Sequence, residues 1–204
     1  MATVKAEESP VRGVGTADRV AAAAITVVAR DGFDVLSVRT VAREAGMSGG
    51  AVQYHYATRT NLLLAAFVHT IQSITERLTA TDLTGPVSVV LGRICREALP
   101  LDPQRQRECA VWAALSAAAA AHPELAREHA KALDTLTETI TDAIATARQQ
   151  GELDDAVDPP AAAAVLIAVL DGLTLHGVAG SRSSAALIAT LDIAIGLVLL
   201  RPRD

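Results

Sequence analysis

Ser37-Val-Arg-Thr-Val-Ala-Arg-Glu-Ala-Gly46-Met-Ser-Gly-Gly-Ala-Val-Gln-Tyr-His-Tyr56 is the stretch that decides how the chain is read. Val38, Val41, Ala42 and Ala45 recur at three- and four-residue spacing, the apolar stripe of a short helix. Ser37 ahead of them suits a helix cap and Gly46 behind them a helix stop. Ser48 can cap a second short helix, Gly49 to Tyr56, in which Ala51 is small enough for close packing and Val52 continues the stripe. Two helices joined by a tight Gly-containing turn form the arrangement of helix-turn-helix DNA readers, whose second helix enters the major groove. Arg39, Thr40 and Arg43 are expected to project outward from the first helix, and Gly49, Gly50, Gln53, Tyr54 and His55 from the second. Gln pairs bidentately with adenine, Tyr and His reach phosphates or base edges, and Gly lets backbone come close to the groove. The helix start at Ser48 also presents N–H groups that suit a phosphate. Ser37, Arg39, Thr40, Ser48, Gly49, Gly50, Gln53, Tyr54 and His55 are therefore the candidate DNA contacts. An ordinary pair of helices with a solvated polar face would spell a similar pattern.

Working outward, the polar residues 1–15, with Pro10, Gly13 and Gly15, read as a mobile leader. Thr16 or Asp18 can cap a helix running to about Asp31, with Val20, Ala24, Val27 and Val28 on its apolar face and Gly32 as its stop. Phe33 and Leu36 are expected to pack the turn that follows. Thr58 or Thr60 caps a long helix from Asn61 towards Leu78. Beyond Gly85-Pro86 the pattern stays helical over about 87–99, 103–121, 123–149, 159–179 and 184–200, separated by Pro and Gly breakers. No stretch alternates with period two, and no repeat of 20–50 residues occurs. The expected fold is all-α with about nine helices. It divides into a leader (1–15), a three-helix DNA-binding unit (16–60) and a helical effector-binding and dimerisation unit (61–204).

Composition narrows the class. Half the 204 residues are apolar and only 2% aromatic, so Ala, Leu, Val and Ile must build the core. That favours thin, closely packed helices over a sheet. A net charge of −5 argues against a surface coated in basic groups for bulk nucleic-acid binding. The first 62 residues nearly balance, with seven basic against six acidic side chains, so the acid sits mainly in the remainder. Cys95 and Cys109 lie in apolar helical contexts and read as buried free thiols of a reducing compartment. No signal peptide opens the chain, and the apolar runs near 161–170 and 185–200 are too short or are interrupted by Asp171 and Asp192. A cytoplasmic protein without a membrane segment is expected.

From about Asp18 to Phe67, about a quarter of its length, the chain resembles the N-terminal domain of TetR-family transcriptional regulators. The residues that carry the resemblance are Arg19, Ala21–Ala24, Gly32-Phe33, Ser37-Val38, Val41-Ala42, Ala45-Gly46-Met47-Ser48, Gly50-Ala51-Val52, His55-Tyr56, Arg59 and Leu62-Leu63. The resemblance implies a phosphate contact from Arg59, where the family usually has Lys, which adds Arg59 to the DNA-contact set. The family's commonest residue at position 53 is Tyr, so Gln53 departs from the pattern. The run Gln53-Tyr54-His55-Tyr56 is similar to the BetI-like branch, as are Val111-Trp112, Ala119, Pro123-Glu124-Leu125 and Asp171-Gly172-Leu173.

Other signals compete. Gly46-Met-Ser48-Gly-Gly50 spells G-x-S-x-G, the nucleophile elbow of α/β-hydrolases, but a helical pattern precedes it where the elbow needs a strand. A small serine hydrolase using Ser48 and an effector-independent DNA binder are the alternatives. His122 and His129, with Glu124 and Glu128 between them, fit a solvated helix start better than a metal site. Gly13-x-Gly15 lacks a third glycine, and no cofactor is expected. Trp112, between Cys109 and Leu115, reads equally as pocket wall or core; with Leu173 and His176 these form the candidate effector pocket. Helices 159–179 and 184–200 are apolar nearly all round, and a second copy is the economical cover. The expectation is a homodimeric, ligand-responsive regulator, a repressor released from a palindromic operator by a small-molecule effector.

Overall fold

Each helix around the predicted turn begins where a side chain can catch its first free N–H groups. The computed structural model describes residues 15–200; residues 1–14 and 201–204, and with them the expected leader apart from Gly15, lie outside the described residues. α1 spans Thr16–Asp31 and stops at Gly32, whose φ of 84° only glycine takes without strain. A short 3₁₀ turn, Phe33–Val35, leads to α2, Val38–Ala45, capped by Ser37 and closed by left-handed Gly46. α3, Gly49–His55, is capped by Ser48, whose Oγ accepts from the Ala51 N–H at 3.2 Å. α4, Arg59–Ala80, starts two residues earlier than expected, because Thr58 is the cap, its Oγ1 accepting from the Asn61 N–H at 3.0 Å. α5 (Val87–Glu97), α6 (Pro103–Ala119), α7 (Pro123–Gln149), α8 (Pro159–Val178) and α9 (Ser184–Leu199) follow, and the described residues contain no strand.

Two apolar cores result. The first gathers Val20, Ala24, Val27, Val28, Leu36, Val41, Val52, Leu62, Leu63 and Phe67 from the first four helices. Val111, Leu115 and Ala118 of α6 and Leu125 of α7 complete it. Arg19 adds a polar tie, donating from Nη2 to the Ala45 carbonyl at 2.9 Å and so satisfying the last turn of α2. The second core packs Leu91, Ile94 and Cys95 of α5 with Ile140 and Ile144 of α7, Leu166 and Leu170 of α8 and Leu187 and Leu191 of α9.

At Gly177 an added Cβ would stand 2.2 Å from Pro100 Cγ and 2.9 Å from Leu187 Cδ1, so α8 approaches its neighbours here as only glycine permits. Outward, α8 and α9 leave Val165, Leu175, Ile193 and Leu197 exposed. α8 is, by length and composition alone, sufficient to cross a bilayer, which corrects the expectation that every apolar run falls short. Much of it is nevertheless buried inside the chain, and its Asp171 is engaged by Trp112, as befits a core helix.

Cys95 and Cys109 are free and buried. Burial pushes both thiols up to about 12, with the Glu108 charge adding to the effect at Cys109. A thiol so placed holds almost no thiolate at neutral pH. Iodoacetamide at pH 8 should leave both unmodified in the native protein and alkylate both after unfolding. Native-state labelling seen by mass spectrometry would contradict their burial.

Candidate nucleic-acid interface and internal cavity

The outer faces of α2 and α3 carry most of the candidate contacts in the open. Arg39, Arg43, Ser48, Gly49, Gly50, Gln53, Tyr54 and His55 are exposed, Tyr54 to 85%. Neither Arg39 nor Arg43 makes an ion pair among the described residues, whereas Arg30 nearby is consumed by Asp31 and Glu44, both at 2.9 Å. An added Cβ at Gly49 or Gly50 would meet nothing within 4 Å. Internal packing therefore does not demand glycine at either position, which leaves close approach of something outside the chain as a physical use for them.

Thr40 departs from expectation. It is half-buried rather than outward, because its hydroxyl is held in the α2 cap. Oγ1 accepts from the Ser37 N–H at 2.9 Å and reaches the Val35 carbonyl at 2.9 Å, while Ser37 Oγ accepts from the Thr40 N–H at 3.2 Å. This reciprocal cap occupies both side chains, and Ser37 too is half-buried. Arg59 opens α4 with its guanidinium 5.4 Å over the Phe33 ring and 3.9 Å from Asp34. The aromatic ring thus orients a cation at the edge of the outer face.

Ser48 sits in a turn between two helices with its hydroxyl committed to capping α3, the geometry of a cap rather than of a strand-borne nucleophile.

A cavity of about 280 Å³ lies inside the body, walled by α4, α6, α7 and α8 with part of α5. Its surface is mostly apolar, from Ile71, Leu78, Ile94, Leu136, Ile167 and Leu170, and Phe67 and Trp112 supply the aromatic wall. Trp112 is the hub of this wall. Its Nε1 donates to Asp171 Oδ1 at 3.2 Å, and its ring centre lies 5.8 Å from Phe67 and 4.7 Å from His129. One side chain on α6 therefore touches α4, α7 and α8.

Of the five residues expected to form a pocket, Cys109 and Trp112 stand on this wall. The other three lie elsewhere. Leu115 is fully buried in the first core, and Leu173 is buried in the second. His176 is exposed, with Nδ1 3.2 Å from Ser181 Oγ. Helical rotation explains the last: five residues beyond Asp171 lie about 140° round the helix, away from the cavity. His129 is part of the aromatic stack, with Nε2 2.9 Å from Ser116 Oγ, and His122 occupies the N-cap of α7. Among the described residues no group of three or more His, Cys, Asp and Glu is placed to hold a metal.

Reading the sequence missed a charged cluster at the cavity edge. Arg77, near the end of α4, donates from Nε to Glu97 at 2.7 Å and from both terminal nitrogens to Glu108 at 3.0 and 2.7 Å. Gln104 Nε2 adds a bond to Glu108 at 3.0 Å, and Arg105 lies 3.5 Å from Glu97. Burial pushes the Glu108 carboxyl up, but hydrogen bonds from Arg77, Gln104 and Ser73, with the Arg77 charge, outweigh it and hold the group below its ordinary value. The available signal was Glu108 itself, an acid directly beside the apolar Cys109-Ala-Val-Trp112 run.

A helix-turn-helix with a bare outer face, mounted on a helical body with a cavity, defines a class of DNA-binding regulators. Comparison with known proteins agrees. Residues 20–66 match the family described as bacterial regulatory proteins, tetR family, and residues 90–199 match the family described as BetI-type transcriptional repressor, C-terminal. The HTH-type transcriptional regulator PksA of Bacillus subtilis (strain 168) is 30% identical over 166 residues, 78% of this chain and 76% of that protein. A transcriptional regulator from Rhodococcus sp. Rha1 shares the fold with a TM-score of 0.82 at 32% identity, covering 91% of this chain and 96% of the other. A transcriptional regulator from Saccharomonospora viridis, solved in complex with choline, shares the fold with a TM-score of 0.81 at 24% identity, over 88% of this chain and 95% of that one. The chain belongs to the TetR family of transcriptional regulators, in its BetI-like branch.

Proposed function

We propose that this protein is a homodimeric, cytoplasmic repressor that binds a palindromic operator and is released from it by a small-molecule effector held in the body. The division into a DNA-binding unit (16–60) and an effector-binding and dimerisation unit (61–204) belongs to this reading. The observation that carries it is the course of α4. The helix begins at Arg59 on the reader's outer face, and Phe67, Thr70 and Ile71 of the same helix wall the cavity. Arg59 and Thr70 are separated by roughly 16 Å of continuous helix, so an occupant that displaces the wall displaces the reader. The choline found with the Saccharomonospora viridis regulator supports a small-molecule effector for this architecture.

Dimerisation uses the outer faces of α8 and α9. Val165 and Leu175 on α8, and Ile193 and Leu197 on α9, are large apolar side chains left exposed on the last two helices, and two copies packed there form a four-helix bundle. A two-fold axis then places two α3 helices for successive major grooves, and the effector acts by favouring a dimer with a different separation between them. It must bind that form more tightly, since equal affinity shifts nothing.

Arg39→Ala and Gln53→Ala should each weaken operator binding by about 1–3 kcal/mol while leaving the dimer intact. If Arg39 contacts phosphate, its removal also lowers the slope of log affinity against log salt by about one. Operator titrations at a series of salt concentrations read both effects. Wild-type affinity in both variants at every salt would refute the assignment of this face.

A further inference from the structure

We propose that Phe33 and Asp34, in the turn between α1 and α2, set operator affinity through Arg59. The Phe33 ring holds the guanidinium in place, and Asp34 occupies it until a backbone phosphate displaces the carboxylate. The inference rests on the operator reading above and adds two residues outside the candidate DNA contacts.

The anchor is the 3₁₀ turn Phe33–Val35. It leaves α1 at Gly32 and closes with the Leu36 N–H donating to the Phe33 carbonyl at 3.1 Å. The Thr40 hydroxyl on the Val35 carbonyl ties it to α2. Phe33 is half-buried and packs against the first core, so its ring is fixed from below. Arg59 is the first residue of α4, and the Thr58 cap fixes the backbone from which its side chain starts. Its Cζ stands 5.4 Å from the Phe33 ring centre. A planar guanidinium held over an aromatic face loses fewer orientations on meeting a phosphate than a free side chain does. Phe33 is thus a positioning residue, acting on DNA through Arg59.

The acid beside it is placed to let go. Asp34 Oδ1 lies 3.9 Å from Arg59 Nη1, at the long limit of an ion pair, with the Asp34 side chain fully exposed and that of Arg59 about half so. Such a pair contributes little in water and is screened by salt. Arg30 is the opposite case on the same unit, held by Asp31 and Glu44 at 2.9 Å each. Arg59 lies between Arg30 and the ion-pair-free Arg39 and Arg43: a ring steers it, and its one acid is weakly held. An operator phosphate takes the place of that acid and releases counterions from the duplex as it does so.

A duplex that the wild-type protein selects from a randomised pool is the probe, titrated at a series of salt concentrations. Arg59→Ala should weaken binding about tenfold or more and lower the slope of log affinity against log salt by about one for each protomer. Phe33→Leu keeps the apolar packing and removes the ring face; it should weaken binding about fivefold with the slope unchanged. Phe33→Tyr keeps the face and should bind as wild type does. Asp34→Asn should bind about threefold more tightly. In the Arg59→Ala background Phe33→Leu should cost nothing further, and most of the Asp34→Asn gain should vanish, because both act through the guanidinium. A Phe33 that only props the fold would cost the same in either background. A wild-type protein that selects no duplex overturns the operator reading and this inference together. Arg59→Ala binding as wild type does, Phe33→Leu costing as much without Arg59 as with it, or Asp34→Asn failing to tighten binding overturns the inference alone.

Discussion

An Arg77→Met protein should unfold with about 3–5 kcal/mol less free energy than wild type in urea titrations at pH 7, the loss typical when one member of a buried ion pair is removed. Methionine keeps much of the stem's volume, so the loss reports charge rather than packing. With Arg77 gone, Glu97 and Glu108, whose side chains are 13% and 6% exposed, face each other with only Arg105 and Gln104 to compensate. Glu97→Gln and Glu108→Gln added to Arg77→Met should recover most of the loss, because neutral amides satisfy each other where carboxylates repel. Acid gives a second signature. Glu108 is held below its ordinary 4.5 in the folded protein, so its contribution is complete above that value and is lost as pH falls through the folded value. Without Arg77, burial dominates and lifts the carboxyl, so the variant is relieved by protonation. The stability gap between wild type and Arg77→Met should therefore narrow from pH 7 to pH 4. A gap that stays constant, or a loss below about 1 kcal/mol at pH 7, would mean that water screens the cluster as it does a surface pair.

Ile193→Glu combined with Leu197→Glu should yield a folded monomer whose operator affinity is lower by about 100-fold or more. The two residues stand one turn apart on α9 and are 64% and 65% exposed in the single protomer, so glutamate there costs the isolated fold little. In the dimer proposed above the same positions would meet across the two-fold axis, and four buried carboxylates would be brought together without partners. Binding of a second half-site is intramolecular for a dimer and absent for a monomer, which is the source of the affinity loss. Sedimentation equilibrium and operator titration on the same samples measure the two effects. A double variant that remains dimeric would place the subunit interface elsewhere.

How much of this was legible depends on how local the cause is. The reader's helices could be placed because Ser37, Ser48, Gly32 and Gly46 act within three or four residues of the ends they define. The same locality explains α8 and α9, whose lack of a polar face is visible in any window. The 3₁₀ turn Phe33–Val35 has no periodic signal in three residues, and it is the turn that supplies the Val35 carbonyl to Thr40. Helical position alone makes Thr40 an outward residue, whereas its hydroxyl is satisfied by the backbone behind it. The cavity depended on distance in sequence. Trp112 and Asp171 are 59 residues apart, and Arg77 and Glu108 are 31 apart. Periodicity shows that such residues share a helix face with their neighbours, but which faces oppose each other is decided by crossing angles that one sequence does not display.

The first core has a consequence for how such regulators diversify. Val111, Leu115, Ala118 and Leu125, from α6 and α7, close the hydrophobic interior against α1 and α4. A segment cut after α3 would leave the core face of α1 bare where α4 and α6 pack against it. The DNA-reading part is therefore a poor unit of exchange between proteins. A chimera that grafts it onto a foreign body inherits a mismatched floor unless the α6 patch travels with it. New operator preferences are reached more cheaply by substitution at exposed positions such as Gln53 than by trading whole readers.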